Sequence, residues 1–125
     1  MATWTSLKKA VAVLRKHAFG YPDVVEDFPW GHAAYKVKGK IFLSTYLNAE
    51  DRFLNLSVKL PISGKMALTL PFASPTHYGL GKHGWVTAHF TVGDEVPLDM
   101  LMEWVDESFR AVAPKRVVAQ LEDAE

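Results

Sequence analysis

Cysteine is absent from this chain. That excludes disulfides, thiol nucleophiles, cysteine-held iron–sulfur clusters and Cys-type zinc sites. Neither sign of charge is in surplus, because 14 Lys and Arg balance 14 Asp and Glu. Binding to nucleic acid by net charge alone is therefore disfavoured. Apolar runs of membrane-spanning length are lacking, so no membrane partner is expected. The opening stretch from Met1 to Lys9 has no long apolar run behind a basic start, which predicts no signal peptide and a cytoplasmic location. What remains is globular: a chain that is 49% hydrophobic and 22% charged can bury a core, and 125 residues suit one domain over 1–125.

Charge is uneven along the chain. Residues 1–92 carry 11 Lys/Arg against 5 Asp/Glu, whereas residues 93–125 carry 3 against 9. The ordinary account of the acidic end is the solvated face of a last helix.

Thr3 or Thr5 can cap a first helix, in which Leu7, Ala10, Val11, Leu14 and Ala18 recur at helical spacing before Gly20 and Pro22 stop it. Val24 to Gly31 reads as extended or looped. Ala34 to Lys38 and Ile41 to Leu47 read as a hairpin about a tight turn at Lys38-Gly39-Lys40. Phe53 to Leu60 alternates, with Leu54, Leu56, Val58 and Leu60 on one side and Asn55, Ser57 and Lys59 on the other. Ser63 to Leu70 suggests a short helix, and 73–84 reads as irregular. Trp85 to Val92 alternates again: Val86, Ala88, Phe90 and Val92 face the core, and Trp85, Thr87, His89 and Thr91 face away. Pro97 opens a long helix with an apolar stripe of Leu98, Leu101, Met102, Val105, Phe109 and Val112; Trp104 is expected off that stripe, exposed. Pro114 then precedes a short basic-then-acidic tail. This order predicts an α+β two-layer sandwich, an antiparallel sheet with helices on one face. A one-residue slip would expose a whole apolar row, so Lys59 and Trp85 must share the sheet's outer face, which no helix covers.

Several motifs fail on context. Gly79-Leu80-Gly81-Lys82-His83-Gly84 spells a dinucleotide fingerprint, but a strand follows where a helix is required. Gly81-Lys82 lacks the Ser or Thr of a P-loop, since His83 follows. No two of His17, His32, His77, His83 and His89 have the paired helical spacing of a zinc protease, and no metal or other cofactor is expected. Glu26 and Asp27 are adjacent, so on a strand they point apart and cannot act as a carboxylate pair. His83 with Lys82 could act on a small anion, but no orienting carboxylate stands nearby in sequence, and no catalytic residue is assigned.

The aromatic and basic residues of the middle region are more informative. Residues 36–82 hold 7 Lys/Arg and 2 Asp/Glu. Lys36, Lys38, Lys40, Lys59 and Lys82, with Tyr78 and Trp85, form a candidate surface on which rings stack bases and ammonium groups meet phosphates. DNA or another anionic ligand is the partner this predicts. The alternative is a protein partner, met through the same face or the acidic last helix and anchored by Trp104.

The run Phe28-Pro29-Trp30-Gly31, then Tyr35-Lys36-Val37-Lys38-Gly39-Lys40-Ile41-Phe42, resembles the opening strands of the MmcQ/YjbR family. The likeness continues through Leu56-Ser57-Val58-Lys59, Tyr78, Lys82-His83-Gly84-Trp85-Val86, Glu107-Ser108-Phe109-Arg110 and Ala113-Pro114-Lys115-Arg116. The resemblance implies a CyaY-like α+β fold and a DNA-binding role. Many members of that family read Asn-Lys-x-His-Trp in the loop, where this chain has Gly81 for the Asn and Gly84 for the His.

Overall fold

A computed structural model describes residues 3–28, 32–77 and 79–123. Helix α1, Trp4–Ala18, begins where the Thr3 hydroxyl accepts the Ser6 amide at 3.1 Å, and it buries Leu7, Ala10, Leu14 and Ala18. Arg15, Lys16 and His17 fill its last turn, where positive charge suits the helix dipole. Strands β1 (Val24–Asp27), β2 (Ala33–Val37), β3 (Lys40–Asn48) and β4 (Phe53–Lys59) follow as an antiparallel meander. Lys38 and Gly39 both take positive φ, 50° and 82°, as a two-residue hairpin turn demands.

Helix α2 (Gly64–Ala67) leads to β5 (Ala73–Pro75), a single 3-10 turn (Leu80–His83) and β6 (Trp85–Thr91). Strand β6 inserts between β4 and β5, so the six strands run β1-β2-β3-β4-β6-β5, every neighbour antiparallel. Helices α3 (Leu98–Val112) and α4 (Lys115–Asp123) complete the chain. The core lies between the sheet's inner face, with Leu54, Leu56, Val58, Val86, Ala88 and Phe90, and the helices, with Leu7, Leu14, Leu101, Val105 and Phe109. Tyr21 stacks on Phe109 at 4.4 Å. The fold is an α+β sandwich with an open antiparallel sheet. Among the described residues no helix is long and apolar enough to cross a membrane.

Val24–Asp27, read as extended or looped, is an edge strand paired to β2. Four local expectations change. Ala73–Pro75 is the opposite edge strand rather than irregular chain, held by pairing to Ala88, Thr87 and Val86. Residues 115–123 form α4 rather than a tail: Pro114 opens the helix, its carbonyl accepting the Val117 and Val118 amides, and Val117 is buried. Val92 is 45% exposed, because β6 ends at Thr91 in a turn through Gly93 that Asp94 closes on the Thr91 amide. Trp104 is only 6% exposed. The buried stripe of α3 is Leu101, Trp104, Val105, Ser108 and Phe109, one face at spacings of three and four, and Phe72 lies against the Trp104 ring.

Candidate functional site

Alternation on β4 and β6 sends Asn55, Ser57 and Lys59, and Trp85, Thr87 and His89, to the outer face, opposite the buried Leu and Val rows. Register then joins them into rungs. Lys59 faces Trp85, Ser57 faces Thr87 and Asn55 faces His89. The next strand extends two of these rungs, with Ser44 opposite Ser57 and Tyr46 opposite Asn55. A β-bulge makes this possible: Lys36 pairs with Ile41 and Tyr35 with Leu43, so Phe42 is an extra residue. Phe42 and Leu43 are both buried, and Ser44 and Tyr46 turn outward.

The polar rungs are bonded. Ser57 Oγ lies 2.8 Å from Thr87 Oγ1, which lies 2.9 Å from Thr76 Oγ1, giving a chain of three hydroxyls. His89 Nδ1 donates to Asn55 Oδ1 at 2.5 Å. Asn48 Nδ2 donates to the Tyr46 hydroxyl at 2.9 Å, and His32 stacks on the Tyr46 ring at 4.4 Å.

Most of these side chains line a cleft of about 380 Å3, within the range of small-molecule sites. Ser44, Asn55, Ser57 and Thr87 form the base, His32 and Tyr46 one wall, and Thr76, His77 and Leu80 the other, with Ile41 and Trp85 also lining it. No residue of the four α-helices lines it. The second wall depends on glycine. Gly84 takes φ +87°, and a Cβ at Gly81 would meet Pro75 Cβ at 2.7 Å, closer than real Cβ contacts come.

Of the residues singled out from sequence, Trp85 lines the cleft and Lys59 stands directly across from it. Lys36 shares the outer face but donates to Asp27 at 3.1 Å, a hydrogen bond that holds the Asp27 carboxyl below its ordinary range. Lys38, in the β2–β3 turn, pairs with Asp23 at 3.4 Å. Lys40 and Lys82 are exposed at the start of β3 and in the 3-10 turn, and with Lys59 they make no ion pair among the described residues. Tyr78 lies outside the described residues. The lysines are thus spread around the site, and none lines it.

Sequence reasoning missed Ser44, Tyr46, His32, Thr76, His77 and Leu80. The outward set of β3 becomes readable only with the bulge, and the loop wall is tertiary. Among the described residues no carboxylate lines the cleft, and His83 is not among its lining residues. Glu26 and Asp27 diverge as expected, Glu26 to Arg15 at 2.8 Å and Asp27 to Lys36. The chemistry offered is that of binding: ring faces, hydroxyls and an amide.

Residues 19–111 match the family model described as YjbR. No curated protein matches the chain.

Proposed function

The chain belongs to the YjbR family, and we propose that it is a binding module that holds single-stranded nucleic acid across the outer face of its sheet. One observation carries this: Trp85, which lines the cleft, stands directly opposite Lys59 on the neighbouring strand. A ring beside an uncommitted ammonium group can stack a base while its phosphate is neutralised. Lys82, exposed in the 3-10 turn, adds a second positive charge, whereas Lys40 pairs with core residue Val37 and so starts on the helix side of the sheet. Acidic Asp99, Glu103, Asp106 and Glu107 sit on α3, in the helix layer, away from that face.

A single strand suits the concave shape, because duplex bases cannot reach side chains sunk in a cleft. With about two uncommitted lysines beside the cleft, log K should fall by about 1.4 per decade of salt, as the single-strand counterion coefficient requires. Affinity would be modest, in keeping with the absence of net charge. A protein partner is the weaker account, because the buried Trp104 cannot anchor one.

Anisotropy titration of a labelled short single-stranded DNA at low salt tests the proposal. Saturable binding that weakens with salt is expected. No binding at low salt would overturn it.

A further inference from the structure

The cleft itself differs in kind from the lysines around it. Its walls carry rings and its floor carries hydroxyls and an amide, and among the described residues no Lys, Arg, Asp or Glu lines it. A phosphate placed inside would lose its hydration with no cation in exchange, which is costly. A flat neutral group with a polar edge would lose little. Its faces would meet the Trp85 indole, the Tyr46–His32 stack and Leu80, and its edge would meet the floor.

The floor has capacity to spare. The Ser44 hydroxyl has no hydrogen-bond partner among the described residues. Asn55 uses Oδ1 for His89, and its Nδ2 donors have no partner among the described residues. The Ser57–Thr87–Thr76 chain can reverse its hydrogens to present either a donor or an acceptor. A surface that offers both on one floor, between ring walls, matches the edge of a heterocycle.

We infer that the cleft is a pocket for one unpaired nucleobase, splayed out of its strand and read along its edge by Ser44, Asn55 and Ser57, with the phosphates left outside on Lys59 and Lys82. This rests on the nucleic-acid proposal above and adds to it a division of labour. Lysines give strand affinity, and the cleft requires a base.

The test compares an intact DNA strand of about ten nucleotides, within the usual single-strand site size, with a fully abasic strand of equal length. The intact strand should bind about tenfold or more tightly, the worth of one stacked base, and both should show the same salt dependence. Asn55→Ala, and Ser44→Leu, which fills the floor without touching the core, should each bring the intact strand down to the abasic affinity. Circular dichroism checks that both variants are folded. Equal binding of the intact and abasic strands would overturn the base pocket and leave the nucleic-acid proposal standing. So would intact-strand affinity unchanged in both variants. Failure of both strands to bind would overturn both.

Discussion

The hydroxyl of Ser108 on α3 accepts the backbone amide of Lys59 on β4 at 2.8 Å. The same hydroxyl donates to the Phe42 carbonyl at 2.6 Å. The β3–β4 ladder runs from the Asn48–Phe53 pair to the Leu43–Val58 pair and stops there. Phe42 and Lys59 would form the next pair, but Phe42 is the bulged residue. Ser108 fills that gap from the helix, fully buried, and so fixes the strand end that carries Lys59 toward Trp85. Ser108→Ala would leave a buried amide and carbonyl unpaired and should cost about 1–3 kcal/mol, read from the urea midpoint. A change near zero would show that the bulged end closes without the hydroxyl.

Glu107, the residue before it, secures the entry to α2. Its carboxylate accepts the amides of Ile62 and Ser63, both at 3.0 Å, and the Ser63 hydroxyl at 2.6 Å. Partial burial works to raise its pKa, but these hydrogen bonds outweigh burial and hold the group below its ordinary 4.5. A carboxylate with a depressed folded pKa contributes stability that is present above its unfolded pKa and lost as pH falls through the folded value. Glu107→Gln should therefore be less stable than the parent at pH 7. The gap should narrow below pH 4.5. Denaturation midpoints of the two proteins across that range check this, and a gap that is constant with pH would contradict it.

Most of the fold was legible because most of it follows local periodicity. The alternation of Leu54, Leu56 and Val58 with Asn55 and Ser57 is enough to assign both faces of β4, and Thr3 with Leu7, Leu14 and Ala18 is enough for α1. What was not legible depends on partners distant in sequence. Ala73-Ser74-Pro75 is too short to alternate and contains a proline, so only its pairing with β6 makes it a strand. Pro114 marks a helix stop and a helix start equally well. The bulge at Phe42 puts two successive buried residues in β3, which breaks the alternation and conceals Ser44 and Tyr46. Lysines stand out in a sequence and cleft-floor serines do not, so the charged rim was found and the neutral pocket was missed.

The two tryptophans divide structural from surface roles. Trp104 is buried against Phe72, and Trp104→Ala should cost about 3–5 kcal/mol as a core truncation. Trp85 is half-buried on the outer face. Trp85→Ala should cost about 1 kcal/mol, since only part of its surface is removed from water, while weakening single-strand binding. Parallel thermal unfolding of the two variants checks the order. A larger loss at Trp85 would make it a core residue.

Gly84 ends the 3-10 turn in the left-handed region, and its carbonyl accepts the Leu60 amide at 2.8 Å. Gly84→Ala meets no close atom, so its cost is conformational. The expected loss is about 1–2 kcal/mol, seen in the denaturation midpoint. An unchanged midpoint would mean that the loop relaxes to another backbone without penalty.

Lys59 separates electrostatic from stacking contributions at the proposed interface. Its backbone is fixed from two sides, by Ser108 and by pairing with Trp85, while its side chain emerges on the outer face. Lys59→Ala keeps both backbone contacts and removes only the ammonium group and its stem, so the fold should be little changed. If that ammonium group neutralises one phosphate, the variant should bind single strands more weakly whatever their sequence. The slope of log K against log salt should become shallower by about 1 at most, and by about 0.7 from the single-strand coefficient. Trp85→Ala should weaken binding with the slope unchanged, because stacking releases no counterion. Titrations of both variants across a range of salt concentrations distinguish the two roles. An unchanged slope for Lys59→Ala would remove Lys59 from the phosphate contacts.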